Sequence, residues 1–333
     1  MLKSFLKKKP DLMFFIRLGV SVGLLIYLIN ILDWNRSIYA LNHSNIVFLT
    51  IAPCLFIIGY GLASLRWKVI LSENSIIYSF RETISTYMIG GFYNVFFPGA
   101  IGGDLIRIWR CAEQSRADYV TVTLTVILER TMGLIALLSI AHIAYLILIR
   151  KYSFFFFGPE LNTYIGLSSV LITAVLIIAL TFRRGISRRI PLEFESRFFK
   201  FLSNCLKTIL GTRLKILFII FILSISFQFI DIVITYLIAK AIGIVIPFVA
   251  VAAIVPVVYL MTILPISLGG LGVREGTLVI LLSRFGIIPS DAIMLSFLIY
   301  FMRISVGACG GLIELHELLK NRLNQKSDDF EHV

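Results

Sequence analysis

Between Phe14 and Leu32 the only charged side chain is Arg17, and between Ile46 and Leu65 there is none. A helix rises 1.5 Å per residue, so runs of about 20 apolar residues match a hydrocarbon core of about 30 Å. Further apolar spans are read within Val120–Ile149 and at Tyr164–Phe182, Leu214–Ile238 and Ala292–Ile313. A water-soluble fold cannot bury so many. In a bilayer each backbone polar group must be satisfied inside its own helix, so the chain is expected to be an all-α polytopic membrane protein. The 333 residues read as a single membrane domain, and composition agrees: 58% hydrophobic and 15% charged, where a soluble domain carries about a quarter charged.

The ends and the cysteines add little. Lys3 and Lys7–Lys9 precede the first run as in a signal peptide. That run is too long for one, and Asn30-Ile31-Leu32-Asp33 is no small-residue cleavage site, so it reads as a retained first helix. Cys54, Cys111, Cys205 and Cys309 are scattered without a C-x-x-C pair and read as small apolar fillers. No metal site or cofactor is expected.

The net charge of +12 invites nucleic acid as a partner, but its distribution argues against it. Segments 1–9, 66–81, 107–116, 183–215 and 320–326 hold most of the 31 Lys and Arg residues. The opposite side receives Arg36, Arg150, Lys151, Lys240 and Arg284. The positive-inside rule then puts both termini in the cytoplasm. Residues 183–213 form a basic cytoplasmic loop, in which Arg197–Leu210 reads as an interfacial helix on anionic headgroups or a plain connector. The polar tail 324–333 is expected to be disordered.

Two more apolar stretches, about 83–115 and 246–285, are broken in the middle by Pro and Gly. Their shorter arms reach only about 22 Å, so re-entrant hairpins fit better than full crossings. The chain is thus read as six spans plus two hairpins, with eight spans as the other count. The breaks carry the same pattern, P-x-x-x-G-G-x-x-x-R: Pro98, Gly102, Gly103, Arg107 and again Pro265, Gly269, Gly270, Arg274. Around them the chain divides into halves, 10–150 and 160–315, each ordered span, span, hairpin, span. Three crossings per half turn the second half upside down, which is the inverted-repeat layout of many transporters. A Pro-Gly break frees backbone N–H groups that attract anions, and an Arg one turn on suits a phosphate. Packing kinks with snorkelling arginines are the other reading.

Ionisable groups inside spans are functional candidates by default. Asp104 and Arg107 form an i,i+3 pair, whereas Arg274 and Glu275, being adjacent, are not expected to share a face. Glu129 and Arg130 begin about ten residues into their span. Asp231, with Gln228 on the same face, lies deep in its own, and Arg303 lies mid-way along the last. Arg107, Arg130, Arg274 and Arg303 are therefore candidates to line one cavity for a phosphate-bearing lipid headgroup. Asp104, Glu129, Asp231 and Glu275 would orient them or carry protons. Interhelical ion pairs that merely hold the bundle are the alternative.

Three motifs appear in order: Asn94-x-x-x-Pro98-x-x-x-Gly102-Gly103-Asp104-x-x-Arg107, Glu129-Arg130-x-x-Gly133, and Leu264-Pro265-x-x-x-Gly269-Gly270-x-Gly272-x-Arg274-Glu275-Gly276. With them the chain resembles the lysylphosphatidylglycerol synthase transmembrane-region, or flippase-like, family over about residues 10–320. That family includes the flippase part of the multiple peptide resistance factor and archaeal dolichol-phosphate glucose synthetase-like proteins. The resemblance implies a bacterial inner-membrane protein that binds or flips lipids, with Asn94 and the paired glycines among the site residues. The family's aminoacyl-transferring enzymes carry a large soluble catalytic domain and additional spans. This chain ends soon after Lys320, so lysyl transfer is not expected of it.

The leading expectation is a lipid translocase for an anionic, aminoacylated or polyprenyl-phosphate-linked lipid. A membrane enzyme of lipid modification is the second, although no outer loop bears paired carboxylates and no Asp-rich phosphotransferase or Ser-Gly-His phosphatase motif occurs. An accessory subunit or scaffold for a lipid-modifying enzyme is the third; whether the chain forms an oligomer is left open. A small-solute transporter is the last.

Overall fold

The computed structural model describes residues 12–96, 102–152, 211–263, 267 and 270–331. Among these there are ten helices and no strand. They are α1 (Leu12–Ile31), α2 (Trp34–Asn42), α3 (Ile46–Glu73), α4 (Phe80–Phe96), α5 (Gly102–Ser115), α6 (Tyr119–Tyr152), α7 (Leu214–Ala241), α8 (Phe248–Ile263), α9 (Val273–Ser283) and α10 (Pro289–Glu331). Helices α3, α6, α7 and α10 are long and apolar enough to cross a membrane, and α1 is a shorter apolar helix. The expected span at 164–182, the loop at 183–210, and Pro98, Pro265 and Gly269 lie outside the described residues.

Both broken stretches fold as pairs of short helices. The arms hold 17 and 14 residues in α4 and α5, and 16 and 11 in α8 and α9. Even the longest reaches only about 25 Å, short of the hydrocarbon core.

The order long, short, short, long occurs twice, as α3–α6 and as α7–α10, and the packing repeats with it. Helix α6 packs on α8 as α10 packs on α4, α5 packs on α6 as α9 packs on α10, and α3 lies along α7. These two equivalent helices run antiparallel over their full length. The Asn45 N–H donates to the Ala241 carbonyl at 2.9 Å, Gly59 faces Phe227 and Ile230, Arg66 reaches Ser224, and Arg213 pairs with Glu73. Antiparallel packing of equivalent elements is what an inverted repeat requires.

Two helix boundaries and one element differ from the sequence reading. Helix α3 does not stop at Leu65 but continues to Glu73, so Arg66 belongs to the bundle rather than to a cytoplasmic segment, and it is buried. No Gly or Pro follows Leu65 before the Asn74 cap, so nothing stops the helix earlier. Helix α10 runs on through 324–331, the stretch expected to be disordered, because neither residue type follows Gly311. Finally, α2 is an additional short helix, capped by Asp33, whose Oδ1 accepts from the Arg36 N–H at 3.0 Å. The Arg36 guanidinium is held to Asp291 by two 3.0 Å bonds; these bonds and the carboxylate charge raise its pKa.

Large apolar side chains also face outward, Ile58, Phe218 and Phe301 among them. Association therefore rests on close packing and polar contacts rather than on hydrophobic burial. Helix α10 meets α4 nearly backbone to backbone: a Cβ at Gly310 would lie 2.1 Å from the Met88 carbonyl oxygen. Beyond that point Glu317 accepts from Ser85 and Arg110, and Glu314 from Tyr93, so α10 clasps the first helix pair.

Candidate functional site

Glu129 lies ten residues into α6, about 15 Å from its start, facing α3, α4 and α5. Its carboxylate accepts from Arg66 Nη2 at 2.6 Å and from Arg107 Nη2 at 2.5 Å. The Tyr87 hydroxyl donates to it at 2.6 Å. Arg66 also donates to Ser224 Oγ on α7 at 3.1 Å. The Arg107 guanidinium lies over the Tyr87 and Trp67 rings, 3.7 and 4.3 Å from their centroids, a cation–π arrangement strengthened by exclusion of water. This one carboxylate ties together α3, α4, α5 and α6, and α7 through Arg66.

At the edge of that cluster Arg107 Nη1 also donates to Asp104 at 3.3 Å. Asp104 in turn accepts from Arg130 Nε and Nη2 at 2.9 and 2.6 Å. Arg130 is 54% exposed, Arg107 only 4%. Three guanidiniums thus meet two carboxylates. Glycine is required where α5 begins: a Cβ on Gly103 would lie 2.1 Å from the Gly90 carbonyl oxygen. There the Gly103 N–H donates to Asn94 Oδ1 at 2.8 Å, filling one of the orphan donors of a helix start. Gly102 opens the helix.

A second cluster sits farther along α7. The Tyr259 hydroxyl donates to Asp231 Oδ2 at 2.7 Å and accepts from Arg303 Nη2 at 2.5 Å. The nearest direct approach of Arg303 to Asp231 is 4.0 Å, and Arg303 is 33% exposed. Between the two clusters Gln228 Nε2 donates to the Gly133 carbonyl on α6 at 3.4 Å. Ser224, Gln228 and Asp231 are spaced i, i+4, i+7, so they form one polar stripe on α7. It covers about 10 Å between the clusters.

The third group is Arg274, Glu275 and Ser296. Contrary to the expectation from adjacency, Arg274 Nε and Nη2 donate to Glu275 Oε1 at 3.1 and 2.5 Å. Glu275 turns back over the helix start to accept from the Gly272 N–H at 2.7 Å. That moves its carboxylate off its own face and within reach of the long Arg stem. Ser296 of α10 bonds to both at 3.0 Å, and Tyr300 stacks on Arg274 at 4.7 Å. Gly270 and Gly272 have φ of +76° and +83°, values that favour glycine.

The structure therefore divides the expected residues among three places. Asn94, Gly102, Gly103, Asp104, Arg107, Glu129 and Arg130 come together. Asp231 and Arg303 form a second group, and Gly270, Arg274 and Glu275 belong to a third. The two motif arginines, Arg107 and Arg274, are each paired with a glutamate and stacked on an aromatic ring, in separate clusters. Sequence reasoning missed Arg66, Trp67, Tyr87, Ser224 and Tyr259. For Ser224 the i, i+4, i+7 spacing with Gln228 and Asp231 was the available signal; for Arg66 it was the missing helix stop after Leu65.

Long apolar helices, two short helix pairs and ionic clusters inside the bundle define a polytopic α-helical membrane protein. The sequence matches the lysylphosphatidylglycerol synthase TM region family over residues 14–310, and the chain belongs to that family. It is also similar to the UPF0104 membrane protein PH1989 of Pyrococcus horikoshii, at 26% identity over 168 residues. That alignment covers 49% of this chain and 48% of the archaeal protein, so the match spans about half of each.

Proposed function

We propose that this chain is a flippase-like lipid translocase of the bacterial inner membrane, with both termini cytoplasmic. Its cargo is an anionic, aminoacylated or polyprenyl-phosphate-linked lipid. The observation that carries this reading is the polar stripe Ser224–Gln228–Asp231, joining two clusters whose accessible members are both arginines. A phosphate-bearing headgroup is costly to move through hydrocarbon because its charge must be desolvated. Guanidiniums at either end of a polar stripe lower that cost, since they match phosphate geometry in a dry environment.

The arginines do not have equal roles. An exposed pair such as Asp104–Arg130 contributes about 0–1 kcal/mol, so a phosphate can displace its carboxylate at little cost. Arg303 comes no nearer than 4.0 Å to the Asp231 carboxylate and is joined to it through Tyr259. Arg66 and Arg107 are locked to Glu129, and breaking a buried pair costs about 3–5 kcal/mol. Arg130 and Arg303 therefore take the headgroup, while Arg66, Arg107 and Glu129 hold the scaffold.

The test is translocation of a fluorescent phosphatidylglycerol in proteoliposomes, read by dithionite quenching. Wild type is expected to accelerate it, and Arg130→Ala or Arg303→Ala to slow it roughly tenfold or more, the equivalent of one charge-assisted hydrogen bond of about 1.5–3 kcal/mol. Rates equal to protein-free vesicles with anionic, aminoacylated and polyprenyl-phosphate probes alike would overturn the proposal.

A further inference from the structure

Helix α2 (Trp34–Asn42) has three different sides. At 3.6 residues per turn, Ser37 and Ala40 share one side and face the protein. Ser37 is buried and lies 3.5 Å from Ser290 of α10, oxygen to oxygen, while Ala40 packs on the main apolar core. Trp34, Ile38 and Leu41, spaced i, i+4, i+7, share a second side and are 58%, 53% and 42% exposed. Asn35, Tyr39 and Asn42 form a third side and are exposed as well. The apolar stripe thus lies neither against the bundle nor opposite it, but flanking the packed side.

The stripe continues an apolar surface. Helix α1 ends just before it with Ile29 and Ile31 exposed, and α3 begins just after it with Ile46 and Val47 exposed. Both flanking helices are apolar and lipid-facing, so α2 lies at the level where hydrocarbon gives way to headgroups. A helix at that level with one apolar side, one wet polar side and a Trp at the apolar edge fits the aromatic belt of a membrane interface. Its only cation, Arg36, is already engaged by Asp291, leaving no basic side to select anionic lipid.

We propose that α2 is an interfacial membrane-binding helix, its Trp34–Ile38–Leu41 stripe seated at the headgroup–acyl boundary and indifferent to lipid charge. Through the Arg36–Asp291 bonds and the Asp33 N–H to Ser290 contact at 3.1 Å, it fixes the start of α10 at that boundary. This does not depend on what the protein transports.

The test uses the full chain in nanodiscs of phosphatidylcholine brominated either high or low on the acyl chains, with tryptophan fluorescence as the readout. The Trp34 share is the difference between wild type and Trp34→Phe, a substitution mild enough to preserve the fold. Most of that share is expected to be lost to bromine placed high on the chains, less to bromine placed low, and equally with phosphatidylglycerol added. A Trp34 share unquenched at both depths overturns the proposal, whether the stripe is in water or covered by a second copy; cross-linking through a Trp34→Cys variant tells those apart. Quenching only when anionic lipid is present also overturns it.

Discussion

Glu129 and Asp231 both sit inside the bundle among long helices, yet they handle charge in opposite ways. Glu129 accepts from two guanidiniums and a tyrosine hydroxyl at 2.5–2.6 Å, and nothing around it but Arg130 is open. Asp231 has one arginine, 4.0 Å away and reached mainly through Tyr259. The first arrangement neutralises its carboxylate directly with two guanidiniums and ties five helices together. The second leaves a guanidinium a third exposed and only indirectly neutralised. Geometry thus makes the Glu129 cluster the more tightly charge-paired of the two, with Arg130 its exposed edge, and leaves Asp231 with a weaker direct charge pair.

Substitutions can break that contrast, and the largest effect belongs to Glu129→Gln. Losing the shared carboxylate leaves the buried Arg66 without a counter-ion and Arg107 with only Asp104 at 3.3 Å, and stability should fall by about 3–5 kcal/mol, measured as thermal unfolding in detergent. A loss no larger than that of an exposed pair would dissolve the distinction. Next comes Gly103→Ala, whose Cβ meets the Gly90 carbonyl; overpacking of about 1–3 kcal/mol is expected. A Cβ on Gly276 of the second half would meet nothing within 4 Å, so Gly276→Ala should be neutral or stabilising by about 0.5–1 kcal/mol. Equal behaviour of the two variants would show that the first helix pair is not the tighter one.

Asp231→Asn keeps an acceptor for the Tyr259 hydroxyl and should cost only about 1 kcal/mol. Protein level is expected to stay normal while lipid translocation stops. Misfolding instead would place Asp231 with Glu129 as scaffold. The smallest change in stability, at most about 1 kcal/mol, is expected for Arg130→Ala, and its effect should fall on translocation. An unfolding midpoint shifted as far as by Glu129→Gln would remove Arg130 from the accessible edge.

Much of the fold was legible along the chain because bilayer thickness reduces span finding to counting. The helix pairs were legible too, since Pro and Gly interrupt apolar runs that are otherwise continuous. Pairing of the charges was not. Arg66 is adjacent in sequence to a run that could have ended at Leu65, and only the continuation of α3 to Glu73 puts it beside Glu129. Tyr87 and Tyr259 carry no mark that separates them from lipid-facing aromatics.

By itself the sequence determined that this chain resides in the membrane, that one Pro-Gly pattern occurs twice, and that an arginine stands at each break, because these depend on local spacing and on the energetic cost of charge in hydrocarbon. Which carboxylate each arginine meets was decided by the tertiary structure alone. The antiparallel register of α3 against α7 and the glycine-level approach of α4 to α5 and α10 set those distances. A charge pair gains its strength over a few ångströms, a scale on which helix packing, not sequence separation, places the partners.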